Sequence, residues 1–280
     1  MFYQLGLIGY PIKHSLSPWI HETFLQRTKL NGNYSLIEIK PKDSFANAMD
    51  TLKKQNLHGF NVTVPYKEKI IPYLQGIDEQ AKHIGAVNTV LCKNGEWFGY
   101  NTDGIGYVRS LQNHFPELKT EKEKQILILG AGGAAKGIYS ALLKNGFQNI
   151  SIANRTIEKA KTLLTKQSNE ANIKVITLKE AEENIALFDV IIQTTSVGMK
   201  PNEAETILSL HALKESVIVS DIVYQPLYTS FLQTAQSLGA RIHFGHTMLL
   251  YQAQYAFEIW TNHVPNVQQM DKELQKILEG

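Results

Sequence analysis

A short apolar run that ends in a glycine-rich turn constrains the fold of this chain most. Residues 125–129 read Gln-Ile-Leu-Ile-Leu, and glycine follows at positions 130, 132 and 133. An apolar strand that leads through such a turn into a helix brings backbone N–H groups and the positive end of the helix dipole together. This arrangement is typical of the first strand, turn and helix of a dinucleotide-binding sheet. For the glycine pattern alone, a tight turn between a core strand and a core helix is the alternative.

The residues after the next expected strand indicate which dinucleotide would bind. About twenty residues past the glycine turn, an NAD-binding sheet usually carries Asp or Glu against the ribose hydroxyls. This chain has Asn154 and Arg155 there, and Lys159 follows one helical turn later. A guanidinium can bind a 2′-phosphate with two parallel hydrogen bonds, whereas a carboxylate would repel it. The sequence therefore predicts NADP rather than NAD.

Composition and charge exclude several classes of function. The chain has 280 residues, of which 43% are hydrophobic and 19% charged, as in ordinary globular proteins of two domains. The formal net charge of +2 argues against a nucleic-acid partner, which needs basic residues clustered on one face. No signal-peptide pattern or membrane-spanning apolar run occurs, and the single cysteine, Cys92, fits a reducing compartment. We therefore expect a cytoplasmic protein without a membrane partner.

The histidines give no sign of a metal site. The chain has nine of them, but neither a His-Glu-x-x-His nor a Cys-x-x-Cys pattern occurs. His243 and His246 form a short pair without a cysteine or carboxylate nearby in the sequence. We expect both to be structural and the protein to hold no metal.

Strand and helix patterns alternate along the chain, which predicts an α/β fold. In the first part, strands are expected at 2–8, 34–39, 59–64, 86–92 and 96–100, and helices at 17–29, 44–55, from Tyr66 onward, at 78–83 and at 104–113. From Gln125 the expected strands are 125–129, 149–153, 174–177, 190–193, 217–221 and 241–244, with helices at 248–260 and 270–278 after them. Helical stretches between most of the later strands indicate a doubly wound parallel sheet.

The segment His14-Ser15-Leu16-Ser17-Pro18 is the first polar group that could carry chemistry. Alternate hydroxyls on an extended segment point the same way and could hold a hydroxylated or carboxylated ligand. Ser17 could instead serve only as the N-cap of the helix that follows. The two roles are compatible.

A second polar segment runs from Asn61 to Lys67. Thr63 lies near the end of an expected strand, and Lys67 lies in the first turn of the helix expected from Tyr66. Lysine is unfavourable at the positive end of a helix, so its placement indicates a function such as proton transfer. A solvated charge run at 67–69 is the alternative.

Asn88 and Asp103 are the other polar candidates. An amide within an otherwise apolar strand costs stability unless it is hydrogen-bonded. Asp103 precedes an expected helix, where Asp is a good N-cap. Beside Lys67, the same carboxylate would orient the amine and share its proton.

Taken together, these segments resemble the shikimate dehydrogenase family over essentially the whole chain. The motifs that carry the resemblance are Ser15-Leu16-Ser17-Pro18, Asn61-Val62-Thr63-Val64-Pro65-Tyr66-Lys67, Gly85-Ala86-Val87-Asn88-Thr89, Asn101-Thr102-Asp103-Gly104, Gly130-Ala131-Gly132-Gly133-Ala134, Asn154-Arg155-Thr156, Thr195-Ser196-Val197-Gly198-Met199 and Gly245-His246-Thr247-Met248-Leu249 with Gln252. They occur in the order in which the family has them. One departure is Gln193, which stands where the family often has Asn, and we assign it no role from the sequence.

The resemblance implies a reaction and a set of site residues. The reaction is the reversible, NADPH-dependent reduction of 3-dehydroshikimate to shikimate, in chorismate and aromatic amino acid biosynthesis. Lys67 and Asp103 would be the catalytic pair. The residues implied for the substrate are Ser15, Ser17, Thr63, Asn88, Asp103, Tyr224 and Gln252. Those implied for NADP are Gly130, Ala131, Gly132, Gly133, Ala134, Asn154, Arg155, Thr156 and Lys159, with Ile222 and Gly245 at the nicotinamide end.

The resemblance also implies two domains. An N-terminal α/β substrate-binding and catalytic domain would comprise residues 1–103 with 245–280, because the last helices are expected to pack back on it. Residues 104–244 would form a doubly wound, Rossmann-like NADP-binding domain. We expect a monomer or homodimer whose partner is the small-molecule substrate, with no nucleic acid.

Two other functions stay open. A quinate/shikimate dehydrogenase of broader specificity would share the motifs, but such enzymes often prefer NAD, against which Arg155 argues. A non-catalytic NADPH-binding sensor would need the glycine turn and Arg155 but would have no use for Lys67 facing Asp103. Oxidation of shikimate or quinate with either nicotinamide cofactor distinguishes the three.

Overall fold

The computed structural model describes residues 1–164 and 172–279. By its internal contacts the chain divides into two compact units. The first unit comprises Met1–Gly106 and Leu250–Gln268, and the second comprises Tyr107–Leu249 and Gln269–Gly280.

The first unit is built on a mixed six-stranded sheet. Its strands are β1 (Phe2–Gly9), β2 (Asn31–Glu38), β3 (Gly59–Val62), β4 (Gly76–Ile77), β5 (Thr89–Lys93) and β6 (Glu96–Tyr100), in the order β2-β1-β3-β5-β6-β4. β1 runs parallel to β2 and β3, whereas β5 is antiparallel to β3 and β6. The helices α1 (Ser17–Thr28), α2 (Phe45–Lys53) and α3 (Glu79–Ile84) connect these strands.

The strands β5 and β6 form a hairpin that turns at Asn94 and Gly95. Asn94 and Gly95 both have positive φ, at 54° and 79°. A two-residue turn of this kind matches the twist of the strands it joins and needs residues that tolerate positive φ, as Asn and Gly do. The hairpin brings the start of β5 and the end of β6 together, where Asn88 and Asn101 adjoin them.

The second unit contains a parallel six-stranded sheet. Its strands are β7 (Ile126–Leu129), β8 (Asn149–Ala153), β9 (Asn172–Ile176), β10 (Val190–Gln193), β11 (Ile218–Asp221) and β12 (Arg241–His243), in the order β12-β11-β10-β7-β8-β9. The chain moves outward from β7 to β9 and then in the opposite direction from β10 to β12. This confirms the predicted doubly wound fold, in which ligands bind at the carboxyl ends of strands near the change of direction.

Helices cover this parallel sheet on both faces. The second unit contains α5 (Gly133–Lys144), α6 (Ile157–Lys161), α7 (Leu178–Glu183), α8 (Ser230–Ser237) and α10 (Met270–Glu279). Two further helices, α4 (Asp103–His114) and α9 (Gly245–Thr261), each lie partly in both units. In β7, Ile126 and Ile128 belong to one core cluster, whereas Leu127 and Leu129 belong to another. Successive strand residues point to opposite faces, so an uninterrupted apolar run is what a doubly covered strand requires.

The prediction of a helix that begins at Tyr66 is wrong. Residues 67–70 form successive turns, and a short 3₁₀ helix covers Ile71–Tyr73. Pro72 has no backbone N–H to continue an α-helical pattern, and the Tyr66 hydroxyl instead donates to the Ile39 carbonyl at 2.7 Å. Lys67 therefore lies in a turn, and the helix-dipole argument for its function does not apply.

The final helix also differs from the expectation. The resemblance places both last helices with the N-terminal domain, but α10 groups with the second unit. There Asp271 Oδ1 lies 2.5 Å from Nε2 of His246, a buried residue of α9. His246 thus has a carboxylate partner after all, one that is 25 residues away in the sequence.

Within residues 1–164 and 172–279, no helix has both the length and the apolar character needed to cross a membrane. The same part of the chain has no cluster of three or more histidine, cysteine or acidic side chains that could hold a metal ion. His243 is fully buried, with its ring nitrogens 2.8 Å from the Ser110 and Ser220 hydroxyls, and so contributes to packing.

His21, a histidine of the first unit, is buried among aromatic side chains. His21 of α1 is fully buried and stacks on Tyr34, with ring centroids 4.4 Å apart and planes within 6°. Neither of its ring nitrogens has a hydrogen-bond partner among the described residues. Burial lowers the pKa of His21 to about 3, although the nearby Asn61 side chain acts in the opposite direction.

We predict that His21→Phe weakens the acid sensitivity of folding. Because the pKa of His21 is lower in the folded chain, the unfolded chain binds the proton preferentially. The stability from neutral His21 is complete above its unfolded pKa and is lost as the pH falls from there towards about 3. Between pH ~6.5 and ~5 the loss is about 2 kcal/mol, and the variant lacks it.

Urea unfolding of the wild-type and variant proteins at both pH values measures this difference. Any cost of fitting the phenyl ring is independent of pH and cancels in the comparison. His211→Phe, at an exposed position, is the matched control and should keep the wild-type pH dependence. An unchanged pH dependence in His21→Phe would contradict the assignment.

Candidate active site

The first unit brings Lys67 and Asp103 together from positions 36 residues apart. Lys67 lies in the turn after β3, and Asp103 is the first residue of α4. Lys67 Nζ is 2.7 Å from Asp103 Oδ2, and the two side chains are 31% and 23% exposed. The Val87 N–H donates to the Lys67 carbonyl at 2.8 Å and so fixes the turn. The result is an oriented amine–carboxylate pair that a ligand can reach.

Asn88 fixes the orientation of the Asp103 carboxylate. Its side chain is buried, and Nδ2 donates to Asp103 Oδ1 at 2.8 Å. The Asn88 oxygen accepts from the Thr102 N–H at 2.9 Å and from the Thr89 hydroxyl at 3.0 Å. These hydrogen bonds satisfy the buried amide and so explain how it is tolerated beside an apolar strand.

Asp103 is the first residue of α4, one position after the N-cap. Asn101 Oδ1 accepts from the Asp103 N–H at 3.2 Å, while Asn101 Nδ2 donates to the Ala86 carbonyl at 2.9 Å. A neighbouring side chain therefore satisfies this backbone donor. Both oxygens of Asp103 are left for Lys67 and Asn88, so the cap alternative does not describe this carboxylate.

Further buried polar residues extend the network, and the sequence reasoning assigned them no role. Tyr34 donates its hydroxyl proton to Asn61 Oδ1 at 2.7 Å, and Asn61 Nδ2 donates to the Thr89 hydroxyl at 3.1 Å. The Thr102 hydroxyl donates to Gln252 Oε1 at 3.3 Å. Asn61, Thr89 and Thr102 lie within motifs already recognised, whereas Tyr34 lies in an alternating strand that carries no such signal.

Ser15 and Ser17 lie together before and at the start of α1. The Ser15 hydroxyl donates to Ser17 Oγ at 3.1 Å, and the Ser17 N–H donates to Ser15 Oγ at 3.2 Å. The expected N-cap role of Ser17 is wrong, because the cap residue is Leu16 and no side chain caps the helix. Burial raises the pKa of the Tyr34 hydroxyl, and a hydrogen bond with Ser17 acts against this rise. The serine pair therefore adjoins the buried network.

Thr63 lies immediately after β3, beside the carboxyl end of β1. Its N–H donates to the Ile8 carbonyl at 2.9 Å. A Cβ added to Gly9 would lie 2.3 Å from Thr63 Cγ2, so the last residue of β1 must be glycine. Thr63 thus lies where the adjacent strands β1 and β3 end.

In the second unit, the glycine turn has the geometry of an anion site. Gly130 has φ +115°, and a Cβ there would lie 2.7 Å from both Thr194 Oγ1 and Thr195 Cγ2. A Cβ added at Gly132 or Gly133 would meet no atom within 4 Å. Helix α5 begins at Gly133 without a side-chain cap, so its first N–H groups face open space. The turn therefore fits a pyrophosphate; Ala131 and Ala134 complete it.

The residues after β8 have the charges that an additional phosphate requires. Arg155, Thr156 and Lys159 are exposed, and Asn154 Nδ2 donates to the Thr156 carbonyl at 2.8 Å. The carboxylate of Glu158 is paired with Lys161 at 2.9 Å. Two cationic side chains thus flank the start of α6, without an acidic residue in the place where NAD enzymes usually have one.

Ile222, Tyr224 and Gly245 form another group in the second unit. The Ile222 N–H donates to the Gln193 carbonyl at 3.1 Å, directly beyond β11. A Cβ added to Gly245, the first residue of α9, would lie 2.4 Å from the Ile222 carbonyl oxygen. Tyr224 is 38% exposed. The close backbone approach explains why position 245 is glycine.

Comparisons with known proteins identify the family. Family models for the shikimate dehydrogenase substrate-binding domain, the shikimate/quinate 5-dehydrogenase and the shikimate 5′-dehydrogenase C-terminal domain match residues 7–90, 111–224 and 245–275. The shikimate dehydrogenase (NADP(+)) of Oceanobacillus iheyensis is 53% identical over 280 residues, covering 100% of both chains. The chain belongs to the shikimate dehydrogenase family.

Solved structures of this family have the same fold. A shikimate dehydrogenase in complex with NADP+ is 37% identical and superposes with a TM-score of 0.88, covering 99% of this chain and 96% of its own. The shikimate 5-dehydrogenase of Thermus thermophilus, in complex with NADP(H) and shikimate, is 30% identical with a TM-score of 0.84, covering 98% and 99%. These likenesses confirm the α/β fold with a substrate-binding domain and a Rossmann-like domain.

We predict that Asn88→Ala lowers the free energy of unfolding by about 2 to 3 kcal/mol, because buried partners such as the Thr102 N–H lose their acceptor. Chemical denaturation measures the change. Asn172→Ala, at an exposed position of β9, is the control and should stay within about 0.5 kcal/mol of wild type. An equally small effect of Asn88→Ala would show that its hydrogen bonds contribute little.

Proposed function

We propose that this protein catalyses the reversible, NADPH-dependent reduction of 3-dehydroshikimate to shikimate, a step in chorismate and aromatic amino acid biosynthesis. The observation that carries the proposal is the Lys67–Asp103 pair at 2.7 Å, oriented by buried Asn88. Family membership supplies the substrate class. The protein works in the cytoplasm on a small molecule, as a monomer or homodimer, without a nucleic-acid or membrane partner.

Lys67 is the acid in the direction of reduction. NADPH, when bound, supplies the hydride to the ketone carbon, and the protein supplies position and electrostatics. As negative charge grows on the substrate oxygen, Lys67 Nζ donates a proton to it. In the direction of oxidation the same nitrogen accepts the proton. Asp103 orients the amine through Oδ2 and accepts from the neighbouring substrate hydroxyl.

The other polar groups of the first unit select a hydroxylated, carboxylated substrate. Hydroxyls of Ser15, Ser17 and Thr63 donate to and accept from such groups, and the Asn88 and Gln252 amides offer both functions. The family pattern adds Tyr224 to the substrate residues. A cyclic keto acid with two hydroxyls matches this mixture of donors and acceptors.

NADP is held by backbone amides and by cations. The N–H groups of residues 130–134 bind the pyrophosphate at the start of α5. Arg155 and Lys159, with Asn154 and Thr156, bind the 2′-phosphate and the adjacent ribose. Ile222 and Gly245 line the nicotinamide end.

A spectrophotometric assay tests the proposed function. The purified protein is mixed with NADP or NAD and with shikimate or quinate, and nicotinamide reduction is followed. The rate with NADP and shikimate should exceed all other combinations. A quinate rate equal to the shikimate rate would favour an enzyme of broader specificity, and the absence of reduction in every mixture would favour the NADPH sensor.

We predict that Lys67→Ala lowers kcat at least ~100-fold, the usual scale for the loss of a positioned acid, while the KM for shikimate changes little. Steady-state kinetics with NADP and shikimate measure both constants. Lys69→Ala is the matched control, because this exposed lysine lies two residues away in the same turn. Near-normal kcat in Lys67→Ala would remove Lys67 from the mechanism.

Arg155→Ala tests the cofactor assignment. The loss of charge-assisted hydrogen bonds should raise the KM for NADP about 10- to 100-fold and leave the KM for NAD within about 2-fold. Lys161→Ala, which removes a cation already paired with Glu158, serves as the control. If the two cofactors were affected equally, Arg155 would not contact the 2′-phosphate.

A further inference from the structure

Two buried polar residues of the second unit have no role in the proposed mechanism. Gln193 and Asp221 are the last residues of β10 and β11, and they lie directly opposite each other in the parallel register. Their exposed fractions are 1% and 0%. Gln193 Nε2 donates to Asp221 Oδ1 at 3.2 Å. The pair therefore lies where the two strands give way to loops at the carboxyl edge of the sheet.

Gln193 also holds the loop that follows β10. Its Nε2 lies within hydrogen-bonding distance of the Val197 carbonyl at 3.0 Å and the Thr195 carbonyl at 3.3 Å. The Thr195 N–H donates to Gln193 Oε1. Both ends of the amide thus bind the backbone of residues 195–197, next to the threonines that contact Gly130 in the glycine turn.

Asp221 holds both ends of the segment that follows β11. Its Oδ1 accepts from the Val223 N–H at 2.9 Å, and its Oδ2 accepts from the Thr229 hydroxyl at 2.8 Å. Thr229 is fully buried and caps α8 by accepting from the Leu232 N–H at 3.3 Å. The segment between these anchors, residues 222–229, carries Ile222 and Tyr224.

Burying the Asp221 carboxylate costs folding free energy, so we expect its contacts to serve a function that offsets this cost. Burial raises the pKa of Asp221 to about 6, although the donors of Val223, Thr229 and Gln193 act in the opposite direction. A buried charge is tolerated where several donors satisfy it. The benefit that the geometry offers is a fixed backbone on both sides of Tyr224.

We propose that Gln193 and Asp221 are positioning residues that join the loop 194–198 to the segment 222–229 and thereby set the place of Tyr224 for the substrate. The inference rests on the proposed function, in which Tyr224 contacts shikimate. Glutamine suits this task because one side chain reaches both Asp221 and the backbone of the first loop. An asparagine side chain is one methylene shorter and reaches less far from the same strand position.

A double-mutant cycle between position 193 and Tyr224 tests the proposal. Gln193→Leu removes every side-chain hydrogen bond at nearly constant volume, and Tyr224→Phe removes the hydroxyl. If Gln193 acts through Tyr224, then Tyr224→Phe lowers kcat/KM for shikimate at least ~3-fold less in the Gln193→Leu background than in the wild-type background. The loss in Gln193→Leu alone should appear mainly as a raised KM for shikimate.

Controls separate positioning from general destabilisation. Ser110→Ala breaks a buried hydrogen bond to His243 elsewhere in this unit and should combine with Tyr224→Phe additively, within about 2-fold. Gln193→Asn serves if Gln193→Leu does not fold, and the same loss of coupling is expected from it. Additive effects at position 193 in a variant that folds would overturn the inference.

The activity of the wild-type protein tests the proposed function separately from the role of Gln193 and Asp221. Wild-type protein that does not oxidise shikimate with NADP would refute that function. Active wild-type protein with an additive cycle would refute only the role of Gln193 and Asp221.

Discussion

The proposed chemistry of this protein depends on one ion pair, Lys67 with Asp103. Neither residue could hold its place alone, because one lies in a turn and the other begins a helix. Asn88 decides the geometry: it binds the second carboxylate oxygen, and its own oxygen is occupied by buried donors. A proton donor and a carboxylate in fixed relation are what reduction of a hydroxy ketone requires.

In the second unit, four glycine positions show where the backbone packs closely and where it leaves open space. At Gly130 and Gly245 a side chain would collide with neighbouring atoms, while at Gly132 and Gly133 the space in front of the turn is open. Close packing behind the turn and open space before it let helix N–H groups meet a phosphate directly. In the proposed function, exposed Arg155 supplies the charge that favours NADP over NAD. In the first unit Thr63 follows the carboxyl end of β3 and Asn88 precedes β5, whereas in the second unit the glycine turn follows the carboxyl end of β7.

Sequence reasoning succeeded where structure follows from local pattern. The strands of the parallel sheet begin and end within two residues of their predicted bounds, since apolar runs between polar turns leave little freedom. It failed where a nearby contact competes with local preference. The helix expected from Tyr66 gave way to turns, with the tyrosine hydroxyl bound to Ile39. Ser17 is the first helical residue, after Leu16 in the cap position, and its hydroxyl oxygen accepts from Ser15.

The amino-acid sequence by itself determined the α/β fold, the glycine turn with its cations, and the motifs that identify the family. Only the tertiary structure decided which polar groups meet: Tyr34 with Asn61, Gln193 with Asp221, and His246 with Asp271. The physical reason is the distance along the chain over which each effect acts. Periodicity and turn chemistry act over a few residues, whereas hydrogen bonds between distant side chains depend on strand order, register and the packing of helices, which no local pattern specifies.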